Sequence, residues 1–132
     1  MRYLLLIYGP QWDQSGVSPE QMQAVMDEWT NYTADLLKRG VSEGGEALEP
    51  VSTATTVRVR DGEKLITDGP FAETNEGLGG YYLLKCKNLD QAIEIAAQCP
   101  GARDGSIELR PITEFGDDYQ KAVMERAGLV GS

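Results

Sequence analysis

Arg2-Tyr3-Leu4-Leu5-Leu6-Ile7-Tyr8-Gly9-Pro10 opens the chain with an apolar run of strand length, closed by a Gly-Pro turn signal. A strand wet on one face alternates apolar and polar side chains, and this one does not, so it calls for cover on both faces. Tyr81-Tyr82-Leu83-Leu84 has the same character. Left open, such a surface would be an apolar patch of a size that soluble monomers rarely carry. A second copy laid on the open face removes the problem, so the sheet is expected to be the interface of a homodimer. The run is far shorter than the ~20 residues of a membrane span. Gly9-Pro10 and then Asp13 stand where a leader would place its small-residue cleavage site. The chain is therefore read as cytoplasmic, with no membrane association.

Outward from that strand, Ser18-Pro19-Glu20-Gln21 opens a helix: Ser18 caps it, Pro19 suits its first position, and Gln21 completes a capping box. Met22, Val25, Met26, Trp29, Thr33, Leu36 and Leu37 then recur at helical spacing, and Gly40 supplies the left-handed stop. Gly44-Gly45-Glu46 to Pro50 reads as a connector. Ala54 to Arg60 alternates, with Thr55, Val57 and Val59 on one face and Thr56, Arg58 and Arg60 on the other. Asp61-Gly62 is a hairpin turn signal, with Lys64 to Thr67 as the return strand. Gly80 to Cys86 reads as another strand. Asn88 and Gln91 make a second capping box, ahead of a helix whose inner face is Leu89, Ala92, Ile93 and Ala96 and which ends at Pro100-Gly101. Ser106 to Pro111 is the last strand, and Asp117 to Ala127 an appended helix. The order β-α-β-(β)-β-α-β describes an α+β domain of ferredoxin-like βαββαβ type with an antiparallel sheet, an extra hairpin and a C-terminal helix.

Composition restricts the chemistry. The 132 residues hold 21 acidic and 12 basic side chains, a net charge of −9, and no histidine. This is the size of one domain with an ordinary core. Direct nucleic-acid binding is not expected, because it needs clustered Lys and Arg, and here the basic residues are scattered. Without histidine, the Ser-His-Asp and Cys-His nucleophile pairs, HExxH zinc sites and imidazole acid–base catalysis are closed to a single chain. Cys86 and Cys99 form no CxxC motif and read as small buried thiols in a reducing compartment. Neither a metal nor a cofactor is expected, since no dense oxygen-ligand motif appears.

The densest stretch is Asp68-Gly69-Pro70-Phe71-Ala72-Glu73-Thr74-Asn75-Glu76. Gly69-Pro70 sets a sharp turn. Three carboxylates crowd near one phenyl ring, where raised pKa values suit acid or base roles. Against this stands a plainer alternative, in which Asp68 accepts backbone bonds within the turn and the glutamates are solvated. Gly77-Leu78-Gly79-Gly80 leads into a strand rather than a helix, so it fits close chain approach or a bulge better than a phosphate loop. Tyr8 and Arg110, at strand ends, could line a cavity and hold an anion, as could Arg58 and Arg60 from their shared face, or each could simply pair with surplus surface acid.

Asp68-Gly69-Pro70-Phe71-Ala72-Glu73-Thr74 resembles the signature of the DGPF family within the YCII-related group. Tyr3 to Tyr8, Ala54 to Arg58, Leu78 to Tyr82 and Gly105 to Pro111 match it in order, so the resemblance spans roughly residues 1–115 and leaves 116–132 as a helical extension. Asn75 departs from it, standing where the pattern usually has lysine. The resemblance implies a ferredoxin-like chain that assembles as a dimeric α+β barrel. It implies no established reaction: members are often uncharacterised, and some resemble proteins encoded near alternative sigma factors. Elsewhere in the group a His–Asp pair is thought to work in a cleft, and one branch looks like a lyase acting on chlorinated lactones. Asp68 is a candidate for the acidic member of such a pair, but this chain has no histidine to complete it.

Three readings follow. The first is a homodimer binding a small molecule, an anion included, through Gly69, Pro70, Phe71, Thr74, Glu76, Arg58 and Arg110. The second is a histidine-independent lyase or isomerase with Asp68 or Glu73 as base and Tyr8 as proton donor. The third is a regulatory interaction module whose acidic surface meets a basic partner.

Overall fold

The computed structural model describes residues 1–10, 15–72 and 74–129. Its elements are β1 (Arg2–Gly9), α1 (Pro19–Lys38), β2 (Ser42–Ala47), β3 (Thr55–Arg60), β4 (Glu63–Asp68), β5 (Gly77–Lys85), α2 (Leu89–Ala97), β6 (Ser106–Pro111) and α3 (Asp117–Arg126), with short 3-10 turns at Val51–Thr53 and Pro100–Ala102. Four strands form one antiparallel sheet in the order β2-β5-β1-β6, which is the ferredoxin-like arrangement, and β3-β4 form a separate two-stranded hairpin.

The second core strand lies where the sequence reads as a connector. Ala54–Arg60, expected in that role, pairs only with β4, and Ser42–Ala47 takes the sheet edge instead. Glycine hides this strand from pattern reading because it contributes no apolar alternation. It is also what the position requires. A Cβ on Gly45 would run into the Tyr81 carbonyl oxygen, and one on Gly80 would stand 2.9 Å from the Glu46 oxygen. The glycine-rich entry to β5 thus serves close strand approach. A register shift after Ile7 also bulges Gly79 out of the β1-β5 ladder.

The capping box of α1 forms as read: Gln21 N donates to Ser18 Oγ at 3.1 Å, and Ser18 N donates to Gln21 Oε1 at 2.9 Å. The helix ends at Lys38, and Gly40 just past its cap supplies the left-handed stop, with φ +73°. Its buried residues are Tyr32 and Leu36, with Trp29 half-buried, whereas Met26 and Leu37 face water. In α2 the buried side is Ala92, Ile95 and Ala96, and Leu89 and Ile93 are half exposed. Both apolar stripes are therefore rotated from the sequence reading, in α1 toward Tyr32, whose hydroxyl sets it apart from the purely apolar positions. Asn88 Oδ1 accepts from Gln91 N, but Gln91 reaches back to the Lys87 N–H instead of closing a reciprocal box.

The core lies between these helices and one face of the sheet: Tyr3, Leu5, Leu36, Val41, Leu84, Cys86, Ile95 and Cys99 are its centre, and both cysteines are free thiols. Tyr32 donates to the Ile95 carbonyl oxygen at 2.8 Å, and the Tyr82 and Thr33 hydroxyls meet at 2.6 Å. None of the described helices is long and apolar enough to cross a membrane.

Candidate functional site

Cross-strand partners share a sheet face, so register identifies the side that no helix covers. Leu6 stands opposite Tyr81 and Glu108, and Tyr81 opposite Glu46. Leu4 stands opposite Leu83 and Arg110, and Tyr8 opposite Leu78 and Ser106. This open face is an apolar field of leucines and tyrosines, each half-buried by its neighbours, with charged residues at its margins.

At one end of that field the structure brings three polar groups into one neighbourhood. Glu76 sits immediately before β5, whose first residue pairs with Gly9, so its side chain reaches the row of Tyr8 and Ser106. Ser106 Oγ donates to Glu76 Oε1 at 3.1 Å. Glu76 Oε2 is shielded from water and has no hydrogen-bond partner among the described residues. Thr74 Oγ1 donates to the Glu76 carbonyl oxygen and fixes the approach of this segment. A carboxylate oxygen removed from water without a partner is costly, and a turn of the half-buried Glu76 side chain that brought this oxygen to an incoming N–H or O–H donor would relieve that cost. Nothing in the sequence singles out Ser106 as a site residue. A serine at a strand start is ordinary, and only the pairing of β6 with β1 puts it beside Glu76.

The remaining candidates lie elsewhere. Arg110 is on the open face opposite Leu4, four residues along β1 from Tyr8, which is roughly 13 Å at strand rise. Its guanidinium meets the Glu108 carboxylate at 3.3 Å. Arg58 lies on the hairpin with its guanidinium carbon 5.3 Å from the centroid of the Phe71 ring. Phe71 is otherwise open, at 76% exposure. Asp68 ends β4 opposite Thr55, exposed, and its carboxylate makes no hydrogen bond or ion pair among the described residues. The turn is anchored by Gly69 instead, at φ +100°, with its N–H on the Ala54 oxygen at 2.7 Å and its carbonyl accepting from Thr56 Oγ1 at 2.8 Å. Pro70 follows, exposed, and Glu73 lies outside the described residues. The candidates thus divide into a sheet-end group of Tyr8, Thr74 and Glu76, a hairpin group of Arg58 and Asp68 to Phe71, and Arg110 apart from both.

Two shallow clefts open on the helix side. One, of about 350 Å³, lies between α1 and the end of α2 and is lined by Glu28, Tyr32, Asp35, Cys99 and Arg103. The other, of about 300 Å³, lies between α2 and β6 among Ile93, Ala96, Ala102, Ile107 and Leu109. Neither is lined by a candidate residue. Burial pushes the Cys99 and Cys86 thiols up, and the Tyr32 and Tyr82 hydroxyls likewise, which keeps all four protonated near neutrality and unsuited to nucleophilic work.

The chain has recognisable relatives among known proteins. Residues 1–116 match the YCII-related domain, and the match ends one residue before α3. An uncharacterised protein of Rhizobium meliloti (strain 1021) is 35% identical over 117 residues, covering 87% of this chain and 94% of that protein. The chain belongs to the YCII-related family.

Proposed function

We propose that this YCII-related chain is a homodimer that binds a small polar molecule at the Glu76 end of its open sheet face. The carrying observation is Glu76 itself, with one carboxylate oxygen held by Ser106 and the other shielded and unpartnered. A ligand offering an N–H or O–H donor would fill the vacant acceptor, while Tyr8 and Leu78 in the adjoining row offer ring and alkyl surface. Such a division, mostly apolar walls with a few placed polar groups, is typical of small-molecule sites. A second copy over the open face would turn the exposed row into a cavity wall. An anionic ligand group would have to reach Arg110, which Glu108 already partly neutralises.

The test is thermal unfolding of the wild type, Glu76→Gln and Asp90→Asn against a panel of small amines, polyols and carboxylic acids, Asp90 being an exposed carboxylate at the start of α2. The expected result is a donor-bearing compound that raises the melting temperature of the wild type and of Asp90→Asn, with at least half of that shift lost in Glu76→Gln. A shift that Glu76→Gln leaves intact, or one that Asp90→Asn removes as well, overturns the assignment of the site.

A further inference from the structure

The β3–β4 hairpin is a six-residue two-stranded ribbon that makes no substantial packing contact with the four-stranded sheet or the helices. Such a ribbon is only marginally stable in water by itself. One of its faces carries Val57, Val59 and Ile66, exposed to 57%, 61% and 60%. The same face carries two charges, because Lys64 stands opposite Val59 and Asp68 opposite Thr55. Neither enters an ion pair among the described residues.

The open face of the sheet has a matching arrangement. Around Leu4, Leu6, Tyr81 and Leu83 it carries Glu46, in the row of Tyr81, and Lys85, opposite Arg2. These two also enter no ion pair among the described residues, whereas the neighbouring Arg2 is taken by Glu114 and Arg110 by Glu108. Lys64 and Asp68 are four residues apart along β4. Glu46 and Lys85 are separated by the same four-residue step along β5, from Tyr81 to Lys85, plus one strand spacing. Both separations come to roughly 13–15 Å at strand rise and spacing. Each face, buried against an uncharged surface, would leave two desolvated charges unpaired; buried against each other, both pairs close.

We propose that the hairpin is an arm that lies on the β2–β5 half of a second copy's open face, with Lys64 meeting the partner's Glu46 and Asp68 meeting the partner's Lys85. This rests on the homodimer reading and specifies what covers that half of the sheet. It gives Asp68 an interface role, and two-fold symmetry makes the contact reciprocal, so each copy lends one arm and receives one.

The experiment is sedimentation velocity over a micromolar dilution series with the wild type, Lys64→Glu, Glu46→Lys and an equimolar mixture of the two variants. The wild type is expected to be dimeric. Each variant alone opposes like charges twice per dimer and weakens association about tenfold or more. In the mixture one arm makes the exchanged pair and the other the native pair, so a heterodimer of near wild-type affinity returns. Misfolding cannot produce that recovery. Variants that dimerise as tightly as the wild type, or a mixture that does not recover, overturn the arm while leaving the dimer standing. A monomeric wild type overturns the dimer reading, and the arm with it.

Discussion

Tyr82 and Tyr81 are neighbours on β5 and point to opposite sides of the same sheet, and their surroundings differ in kind. Tyr82 is held edge-on by the Tyr32 ring, 5.6 Å between centroids, and shares a 2.6 Å hydrogen bond with Thr33. Tyr81 has a leucine on one neighbouring strand and a glutamate on the other, with no helix over it. The chain spends comparable apolar surface on both faces but covers only one from its own helices. The difference teaches that apolar side chains on one strand can meet quite different surroundings, packed under helices on one face of the sheet and bordered only by neighbouring strands on the other.

The largest effect that could break this comparison is in packing. Leu84→Ala, on the covered face, should cost about 3 kcal/mol in urea unfolding, because the removed methyl groups are fully enclosed. That loss should persist at every protein concentration. Leu6→Ala, on the open face and half-buried by its own neighbours, should lose less in the single chain and a further amount on association, so its deficit should shrink on dilution. Equal, concentration-independent losses at both positions would show that the two faces do not differ.

A smaller contrast isolates the hydroxyls. Tyr82→Phe should cost about 1 kcal/mol by removing the bond to Thr33. Tyr81→Phe, whose hydroxyl makes no hydrogen bond among the described residues, should cost less than half of that. The same urea series measures both.

The smallest effect at neutral pH belongs to the covered face alone. Burial raises the Cys86 and Cys99 thiols above their ordinary 9.0. The folded state therefore keeps its thiol protons while the unfolded chain releases them. Stability from this source is complete below about pH 9 and falls as pH rises through 9 toward the raised folded values. Unfolding midpoints between about pH 8 and pH 10 should decline, and Cys86→Ala/Cys99→Ala should flatten that decline. An unchanged slope would show that the thiols are not the source.

Much of the fold is legible in the residues. Ser18-Pro19-Glu20-Gln21 specifies a helix start through local hydrogen bonds, and Asp61-Gly62 a tight reversal with φ of +51° and +78°; neither depends on anything distant. What was illegible is equally specific. Ser42–Ala47 has no strand pattern, because its glycines carry no side chains to alternate and Gly45 answers to the Tyr81 and Tyr82 backbone across the ladder. Tyr32 replaces Met26 and Leu37 on the buried side of α1, because the Ile95 carbonyl supplies the partner that makes a tyrosine hydroxyl affordable inside. The candidate site divides in the same way. Its chemistry-bearing segment, Asp68 to Glu76, is conspicuous in sequence, but its sorting into a hairpin base and a sheet end is not.

The amino-acid sequence by itself determined the two main helices, the hairpin, every strand except Ser42–Ala47, the acidic and histidine-free chemistry, and the surplus of apolar surface on the strands, because each is local or compositional. Only the tertiary structure decided which strand completes the sheet, that Gly69 rather than Asp68 anchors the turn, and that Glu76 meets Ser106 with an oxygen to spare. Those outcomes depend on register between segments as distant in the chain as Tyr3 and Pro111, and strand register is set by the packing of whole faces.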